Sequence, residues 1–354
     1  MKTHVVVALS GGVDSAVAAA LLQAEGYRVS ALFMKNWEDD DTETYCSSAA
    51  DHESAQMIAD RLKIPLHAVN FAAEYRARVF TRFLDDCAAG LTPNPDVLCN
   101  REIKFDVFWH YAQQLGADVM ATGHYARIAD QGNGLRLLTG RDANKDQTYF
   151  LHTIDSGILR YTRFPIGVFH KDEVRARARA LGLPNAERKG SSGICFIGER
   201  HFRPFLQQYL DGVRGPIYTI DGEHKGDHEG LMFYTIGQRQ GLGIGGPGEA
   251  WYVAEKRRQD NALIIVQGAD HPGLYKAECR TLDPYWLGPA PALPWSGHAK
   301  IRYRQTAEPC QIEPLADGGL RVRFPKPQRA VTPGQSVVFY NGPVCLGGAV
   351  IADA

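Results

Sequence analysis

The feature that most constrains the fold is a short apolar strand followed at once by a glycine turn and an alanine-rich helix. This stretch reads HVVVALSGGVDSAVAAALL over residues 4–22. A glycine-rich turn between a strand and a helix presents backbone N–H groups and the positive end of the helix dipole, which together favour a phosphate. The segment therefore predicts a phosphate-binding loop in a domain of alternating strands and helices.

The chemistry of this loop is unusual because it lacks the lysine of Walker-type loops and carries Asp14 instead. A carboxylate is unfavourable against bare phosphate but suits a Mg²⁺ ion on pyrophosphate. We therefore expect the loop to bind the leaving pyrophosphate of ATP, so that the substrate attacks the α-phosphate. A generic tight turn, with Ser15 starting the helix, is the alternative.

The alternation continues through the first 125 residues and defines the fold class. Predicted strands HVVVAL, RVSALFMK, PLHAVNF and DVMATGHYA are separated by predicted helices, which indicates an α/β domain with a parallel sheet. Ligands of such sheets bind at the carboxyl ends of the strands. The C-terminal part contains short β-like runs spaced by Gly, Pro and Asn, which favours a small antiparallel barrel or sandwich. We expect a catalytic domain over 1–205, a central linking domain over 206–272 and a C-terminal β-barrel over 273–354.

Composition and charge limit the possible functions. The chain has 354 residues, 44% of them hydrophobic, which is too long for one ordinary core. Its net charge is −1, but residues 151–215 contain 11 basic and six acidic side chains, whereas residues 1–150 contain 14 and 20. A basic middle segment predicts contact with a polyanion. A solvated helix face is the alternative.

The seven cysteines and the hydropathy pattern point to a reducing compartment. The cysteines form no CxxC pair, so neither a zinc site nor a disulfide framework is indicated. No apolar run approaches the roughly 20 residues of a membrane helix, and the first residues show no signal cleavage site. We expect a cytoplasmic protein that does not contact a membrane.

Two cysteines stand out by their surroundings. In LTPNPDVLCNREIKF, Asn94 reads as a helix N-cap with Pro95 at the first helical position. Asp96 and Cys99 then share one face of the first turn, where the helix N-terminus lowers the pKa of a thiol. Cys195, in RKGSSGICFIGERHF, reads as a thiol able to move between an outer donor and an inner site. Burial as small apolar residues is the alternative for both cysteines.

Seven motifs together resemble, in order and spacing, the tRNA-specific 2-thiouridylase family of the ATP pyrophosphatase (PP-loop) superfamily. They are SGGVDS, FMKNWEDDD, TPNPDVLCN, GHYAR, GRDANKDQTYFL, SGICFIGER and YTIGQRQGLGIGG, and they span nearly the whole chain. The resemblance implies a PP-loop domain, a central domain and a β-barrel. It also implies ATP-dependent 2-thiolation of the wobble uridine of tRNA. In that reaction the uridine O2 is adenylated and a persulfide supplies sulfur, giving 2-thiouridine, AMP and pyrophosphate.

The resemblance implies a role for each matching residue. Cys99 would be the nucleophile, Cys195 the persulfide carrier that ends in a disulfide with Cys99, and Asp96 the general acid or base. Asn94, Pro95 and Asp96 would contact the target base. The ATP site would comprise Ala8, Leu9, Ser10, Gly11, Gly12, Val13, Asp14, Ser15, Met34 and Gly123. Contacts to tRNA would come from His124, Lys145, Asp146 and Gln147.

The barrel adds further candidate tRNA contacts. Alternation in KIRYRQ places Lys300, Arg302 and Arg304 on one face of a predicted strand, and Gln335 follows a TPG turn. We expect Arg302, Tyr303 and Gln335 to meet the tRNA. A solvated strand edge is the alternative.

The implied ligands and partners complete the hypothesis. ATP and Mg²⁺ are expected, with Asp14 as a candidate Mg²⁺ ligand, and no tightly bound organic cofactor. The partners would be tRNAs of the Lys, Glu and Gln type with a wobble uridine, and an upstream protein that donates persulfide sulfur. The chain departs from the family pattern at Ala8-Leu9, where Gly-Met is usual, and at Gly190, where an acidic residue is common.

Three other functions are alternatives. A PP-loop synthetase for a small metabolite would leave the cysteine pair and the barrel unexplained. A cytidine thiolase normally has a CxxC iron–sulfur site, which this sequence lacks. A non-catalytic RNA-binding module would not explain Asp14 or Cys99.

Overall fold

The computed structural model describes residues 2–38, 48–132, 134–188 and 202–354. The strands are β1 (His4–Ala8), β2 (Arg28–Lys35), β3 (Leu66–Asn70), β4 (Val119–Ala121), β5 (Ala126–Asp130), β6 (Leu135–Thr139), β7 (Thr162–Arg163), β8 (Gly215–Thr219), β9 (His224–His228), β10 (Trp251–Arg257), β11 (Ala262–Gln267), β12 (Tyr275–Trp286), β13 (Trp295–Lys300), β14 (Glu308–Pro314), β15 (Leu320–Arg329), β16 (Ser336–Asn341) and β17 (Val344–Asp353). The α-helices are α1 (Val13–Ala24), α2 (Ala49–Leu62), α3 (Ala72–Tyr75), α4 (Thr81–Ala88), α5 (Pro95–Leu98), α6 (Phe108–Gln114), α7 (Thr148–Leu151), α8 (Lys171–Ala180) and α9 (Phe202–Leu206). Two π-helical segments, Arg76–Phe80 and Cys99–Val107, continue α3 into α4 and α5 into α6.

The N-terminal domain is built on five parallel strands in the order β3-β2-β1-β4-β7. The central strand β1 is buried along its whole length, and its side chains alternate between two cores. Val5 and Val7 pack with α1, α2 and α8, whereas Val6 and Ala8 pack with the aromatic core on the other face. An apolar strand covered on both faces is characteristic of a parallel sheet between helical layers. The predicted α/β fold is confirmed.

The C-terminal half contains two further sheets. The central sheet has the order β10-β11-β8-β9, in which β8 and β11 run parallel. The six strands from β12 to β17 close into an antiparallel barrel, because β12 pairs with both β15 and β17. This confirms the predicted C-terminal barrel.

A hairpin from the N-terminal domain extends the barrel sheet, which the sequence did not lead us to expect. Strands β5 and β6 pair with each other, and Leu138 of β6 pairs with Val344 of β17. The Thr139 N–H also donates to the Pro343 carbonyl at 2.8 Å. The hairpin therefore joins the N-terminal domain to the barrel by main-chain hydrogen bonds.

In the described parts of the chain, no helix combines the length and the apolar character needed to cross a membrane.

Candidate active site

The phosphate loop lies between β1 and α1, at the carboxyl edge of the parallel sheet. Gly11 adopts a φ of 75°, and a Cβ there would lie 2.5 Å from the Asp51 carbonyl oxygen, so only glycine fits. The Gly11 carbonyl accepts hydrogen bonds from the Ser54 hydroxyl and the Asn185 amide, both at 2.9 Å. The loop is therefore held from outside by helix α2 and by the segment that follows α8.

The predicted ATP-binding residues gather at this same edge. Residues 8–15 follow β1, Met34 lies at the end of β2, and Gly123 follows β4. A Cβ on Gly123 would lie 2.6 Å from the Ser15 nitrogen and 2.8 Å from the Asp14 carbonyl carbon. Gly123 is thus required because the loop after β4 packs directly on the backbone of the phosphate loop.

Replacing Gly123 with alanine tests this close approach. The added methyl group cannot be accommodated without moving the main chain at Ser15, because the neighbouring atoms are backbone and not a flexible side chain. We expect the KM for ATP to rise by at least about tenfold, from misplacement of the loop N–H groups. Steady-state kinetics would measure this change. A Gly245→Ala variant is the matched control, since its φ is not in the left-handed region and a Cβ there meets nothing within 4 Å. An unchanged KM in Gly123→Ala would contradict the assignment.

A lysine from a helix distant in the sequence pairs with the carboxylate of the phosphate loop. Lys171, the first residue of α8, places its Nζ 2.6 Å and 2.7 Å from the two carboxylate oxygens of Asp14. The Tyr125 hydroxyl also donates to Asp14, at 2.9 Å, and burial followed by the Asp14 charge raises the pKa of Tyr125. Sequence reasoning missed Lys171, because 157 residues separate it from Asp14. In the sequence, Lys171 is distinguished only by its position at the start of the basic stretch KDEVRARARA.

These contacts bear on the expected Mg²⁺ ligand. Both oxygens of Asp14 accept hydrogen bonds from the Lys171 ammonium group, which competes with a divalent cation for the same lone pairs. In the described residues, no group of three or more His, Cys, Asp and Glu side chains could hold a metal ion. Asp14 is thus paired with Lys171, and its role as a Mg²⁺ ligand stays a prediction.

The start of α5 carries the predicted base-binding turn and nucleophile. The Asn94 side chain accepts a hydrogen bond from the Asp96 N–H at 3.2 Å, with Pro95 at the first helical position, so the predicted cap is confirmed. Cys99 is buried, at 1% exposure, and begins the π-helical segment. Such wide helical turns often occur at functional sites. Asn100, beside it, donates to the Asp96 carbonyl at 2.9 Å, and its own Oδ1 is buried without a partner.

The other described cysteines are poor candidates for the reaction. Cys87, Cys279, Cys310 and Cys345 are all free thiols. Burial raises the pKa of each of these four thiols to about 12. A thiol with such a pKa supplies almost no thiolate at neutral pH. Cys195 and Gly190 lie outside the described residues, so the Cys99–Cys195 disulfide stays a prediction.

The predicted tRNA contacts of the catalytic domain differ in accessibility. Asp146 is buried, and it forms an ion pair with Lys300 of the barrel at 2.9 Å. His124 is also buried, and its Nδ1 lies 2.7 Å from the Thr122 hydroxyl. Burial and the nearby Lys104 charge hold the pKa of His124 well below its usual value. Lys145 and Gln147 are half-buried, and Gln147 accepts a hydrogen bond from the Tyr125 N–H.

The barrel residues do not form the charged strand face that alternation predicts. Strand β13 ends at Lys300, and residues 301–304 form a turn in which Arg304 has a φ of 66°. The expectation of one face was wrong because the strand stops where the alternation continues. Arg302 is exposed, and the Tyr303 ring lies 4.5 Å from the Phe150 ring. The Gln335 amide donates to the Thr92 carbonyl at 2.7 Å.

Comparison with known proteins covers the whole chain. Three family models match: a tRNA methyl transferase HUP domain over residues 3–199, a tRNA methyl transferase PRC-barrel domain over 203–267 and an aminomethyltransferase beta-barrel domain over 276–351. A tRNA-specific 2-thiouridylase MnmA of Nitrosomonas eutropha is 55% identical, over 100% of this chain and 99% of the relative. Proteins with the same name from Stutzerimonas stutzeri and Pseudomonas putida are 54% and 53% identical, each over 100% of this chain and over 95% and 96% of the relative. The chain belongs to the tRNA-specific 2-thiouridylase MnmA family.

Proposed function

We propose that this protein is an ATP-dependent tRNA uridine 2-sulfurtransferase acting on the wobble position. The observation that carries the proposal is the identity of 55% over the full chain to a tRNA-specific 2-thiouridylase. The geometry supports it, because a phosphate loop and a buried cysteine at a helix start belong to the same parallel-sheet domain. The substrates would be ATP, with Mg²⁺ carried on its phosphates, and tRNAs of the Lys, Glu and Gln type.

The first step activates the base. The C2 carbonyl of uridine is a poor electrophile, so its O2 attacks the α-phosphate of ATP and pyrophosphate leaves. The loop N–H groups at Gly11 and Gly12 and the Lys171 ammonium group would stabilise the negative charge of the leaving group. Lys171 forms an ion pair with Asp14 of the same loop, which places its charge beside the phosphate site.

The second step transfers sulfur. A persulfide on Cys195, loaded by an upstream donor protein, would deliver sulfur to C2, and AMP would leave with the former O2. Attack of the Cys99 thiolate on Sγ of Cys195 breaks the persulfide S–S bond and leaves a Cys99–Cys195 disulfide. Two electrons from an external thiol then restore both thiols. Asp96, held one turn from Cys99, would move the proton, while Asn94 and Pro95 shape the base pocket.

The position of the second cysteine in the chain supports this scheme. Arg188, the last described residue before Cys195, donates to the Gly11 carbonyl at 3.3 Å and pairs with Asp51. Cys195 is seven residues from Arg188 and seven from Phe202. An extended chain of that length spans at most about 25 Å. Arg188, from which the chain leads to Cys195, therefore lies against the phosphate loop.

The proposed tRNA surface includes residues of both domains. Lys145, Gln147, Arg302 and Tyr303 remain the candidate contacts, and a flipped wobble base would enter beside His124. The buried pair of Asp146 and Lys300 would act by fixing the barrel against the catalytic domain. Gln335, already bound to Thr92, would act at the same junction.

The test is an assay with purified protein, ATP, a persulfide donor and unmodified tRNA. We expect pyrophosphate release that depends on tRNA, and 2-thiouridine in the digested nucleosides by mass spectrometry. Transcripts with cytidine at the wobble position are the matched control and should give neither product. Pyrophosphate release driven by a small metabolite would favour a synthetase instead. Tight tRNA binding without any pyrophosphate release would favour a binding module.

A further inference from the structure

Thr92, two residues before the base-binding turn, is held by atoms of both other domains. Its N–H donates to the Pro333 carbonyl at 3.0 Å, and its carbonyl accepts from the Gln335 amide at 2.7 Å. Its hydroxyl lies 3.2 Å from Nζ of Lys256, a residue of β10 in the central sheet. All three polar groups of Thr92 are thus bound by residues more than 160 positions away in the sequence.

Lys256 fits this position through its three donors. Its Nζ also donates to the Tyr234 carbonyl at 2.8 Å and to the Leu91 carbonyl at 3.4 Å. An ammonium group has three N–H donors, so it satisfies three oxygens at once, whereas a neutral amine has only two donors. Arg258 supports the same loop, because it donates to the Ala89 carbonyl at 3.3 Å.

Burying the Lys256 ammonium group has an unfavourable desolvation free energy. Burial lowers the pKa of Lys256 to about 8, the Cys87 thiol opposes that shift, and the Arg258 charge adds to it. Glu255, Lys276 and Asp353 line the same small cavity of about 230 Å³. Replacing a buried charge by an apolar side chain often leaves the free energy of unfolding unchanged. Stability alone therefore does not explain a buried lysine at position 256.

The backbone after Thr92 is suited to transmit its position. Pro93 and Pro95 fix φ at two of the three residues that lead to Asp96. Helix α5 continues through the π-helical segment into α6, so Asp96 and Cys99 lie in the first turns of one longer helical run, directly after the point where Thr92 is held. A displacement of Thr92 would therefore reach Asp96 and Cys99 instead of being absorbed by the loop.

We propose that Lys256 and Gln335 are positioning residues of the sulfur-transfer reaction, which from the central domain and the barrel fix Thr92 and thereby the base-binding turn and Cys99. The expected effect on kcat rests on the proposed function. The contacts of Lys256 and Gln335 with Thr92, called the clamp below, also keep Cys99 in place and buried. This structural effect does not depend on the reaction that the protein catalyses.

The experiment compares Lys256→Met, Gln335→Leu and the conservative Lys256→Arg with Lys276→Met, which removes a charge from the same cavity without contacting the loop. We expect kcat for 2-thiouridine formation to fall about 10- to 100-fold in Lys256→Met and Gln335→Leu, as for a small misplacement of reacting groups. The KM for ATP should stay within about twofold, because separate contacts hold the phosphate loop. Lys256→Arg should recover most of kcat, and Lys276→Met should resemble the parent protein.

Alkylation by iodoacetamide, resolved site by site by mass spectrometry, gives a second readout that does not depend on activity. Loosening the clamp should open the start of α5 locally and raise the labelling rate of Cys99 by about tenfold or more. Cys279 and Cys310, in the barrel core, should keep their slow rates and so report global unfolding. An unchanged kcat with unchanged Cys99 labelling would overturn the proposal, as would a joint rise at all three cysteines. If the parent protein makes no 2-thiouridine, the proposed function fails, and the labelling pattern still decides the role of the clamp.

Discussion

A Lys171→Met variant is expected to lose about 10²- to 10³-fold in kcat for tRNA-dependent pyrophosphate release, the usual loss when one group that stabilises transition-state charge is removed. The reason is geometric, because the Lys171 ammonium group is the cation held directly against Asp14 in the phosphate loop. As the bond to the α-phosphate breaks, negative charge grows on pyrophosphate, and the ammonium group can stabilise it. Coupled detection of pyrophosphate would measure the loss. Lys326→Met, an exposed lysine of the barrel, is the matched control.

A double-mutant cycle with Asp14→Asn separates two roles of this lysine. If Lys171 serves only to neutralise Asp14, then Lys171→Met should cost nothing further in the Asp14→Asn background. If Lys171 acts on the phosphates, the double variant should be much slower than Asp14→Asn alone. We expect the second result. Pyrophosphate release at the parent rate in Lys171→Met would remove this residue from the site.

The part of the fold that could be predicted is the part that local sequence encodes. RVSALFMK coincides with β2, and HVVVAL contains β1. The cap at Asn94 and the proline after it were also predictable, because capping depends on neighbouring residues alone. These features fixed the sheet, the phosphate loop and the start of α5.

The features of the fold and the site that could not be predicted depend on contacts between residues that are distant in the sequence. The hairpin of β5 and β6 could not be placed, because its neighbour β17 lies some 200 residues further along the chain and no local pattern identifies it. Lys171 reads as one of several basic residues until the fold brings it to Asp14. Lys300 and Asp146 read as a tRNA surface, and each turned out to neutralise the other in a buried pair. A charged residue in a sequence does not reveal whether tRNA or the protein itself provides its partner.

Serine variants of the two cysteines should separate activation from sulfur transfer. We expect Cys99→Ser and Cys195→Ser each to lower 2-thiouridine formation by at least about 10³-fold, with the double variant no worse than either single one, because the two thiols act as a unit. Neither change touches Asp14 or Lys171, so tRNA-dependent pyrophosphate release should persist in both variants.

Among the residues that the structure describes, the other cysteines cannot take over the lost role, because burial raises the pKa of Cys87, Cys279, Cys310 and Cys345 to about 12. Cys279→Ala is therefore the control and should keep both activities. Non-reducing peptide mapping of the parent protein after one turnover should show a peptide that joins Cys99 to Cys195, and each serine variant should lack it. Cys195→Ser that still makes 2-thiouridine at the parent rate from a persulfide donor would show that sulfur reaches the base by another route, which would leave Cys99 without a partner for the disulfide that closes the cycle.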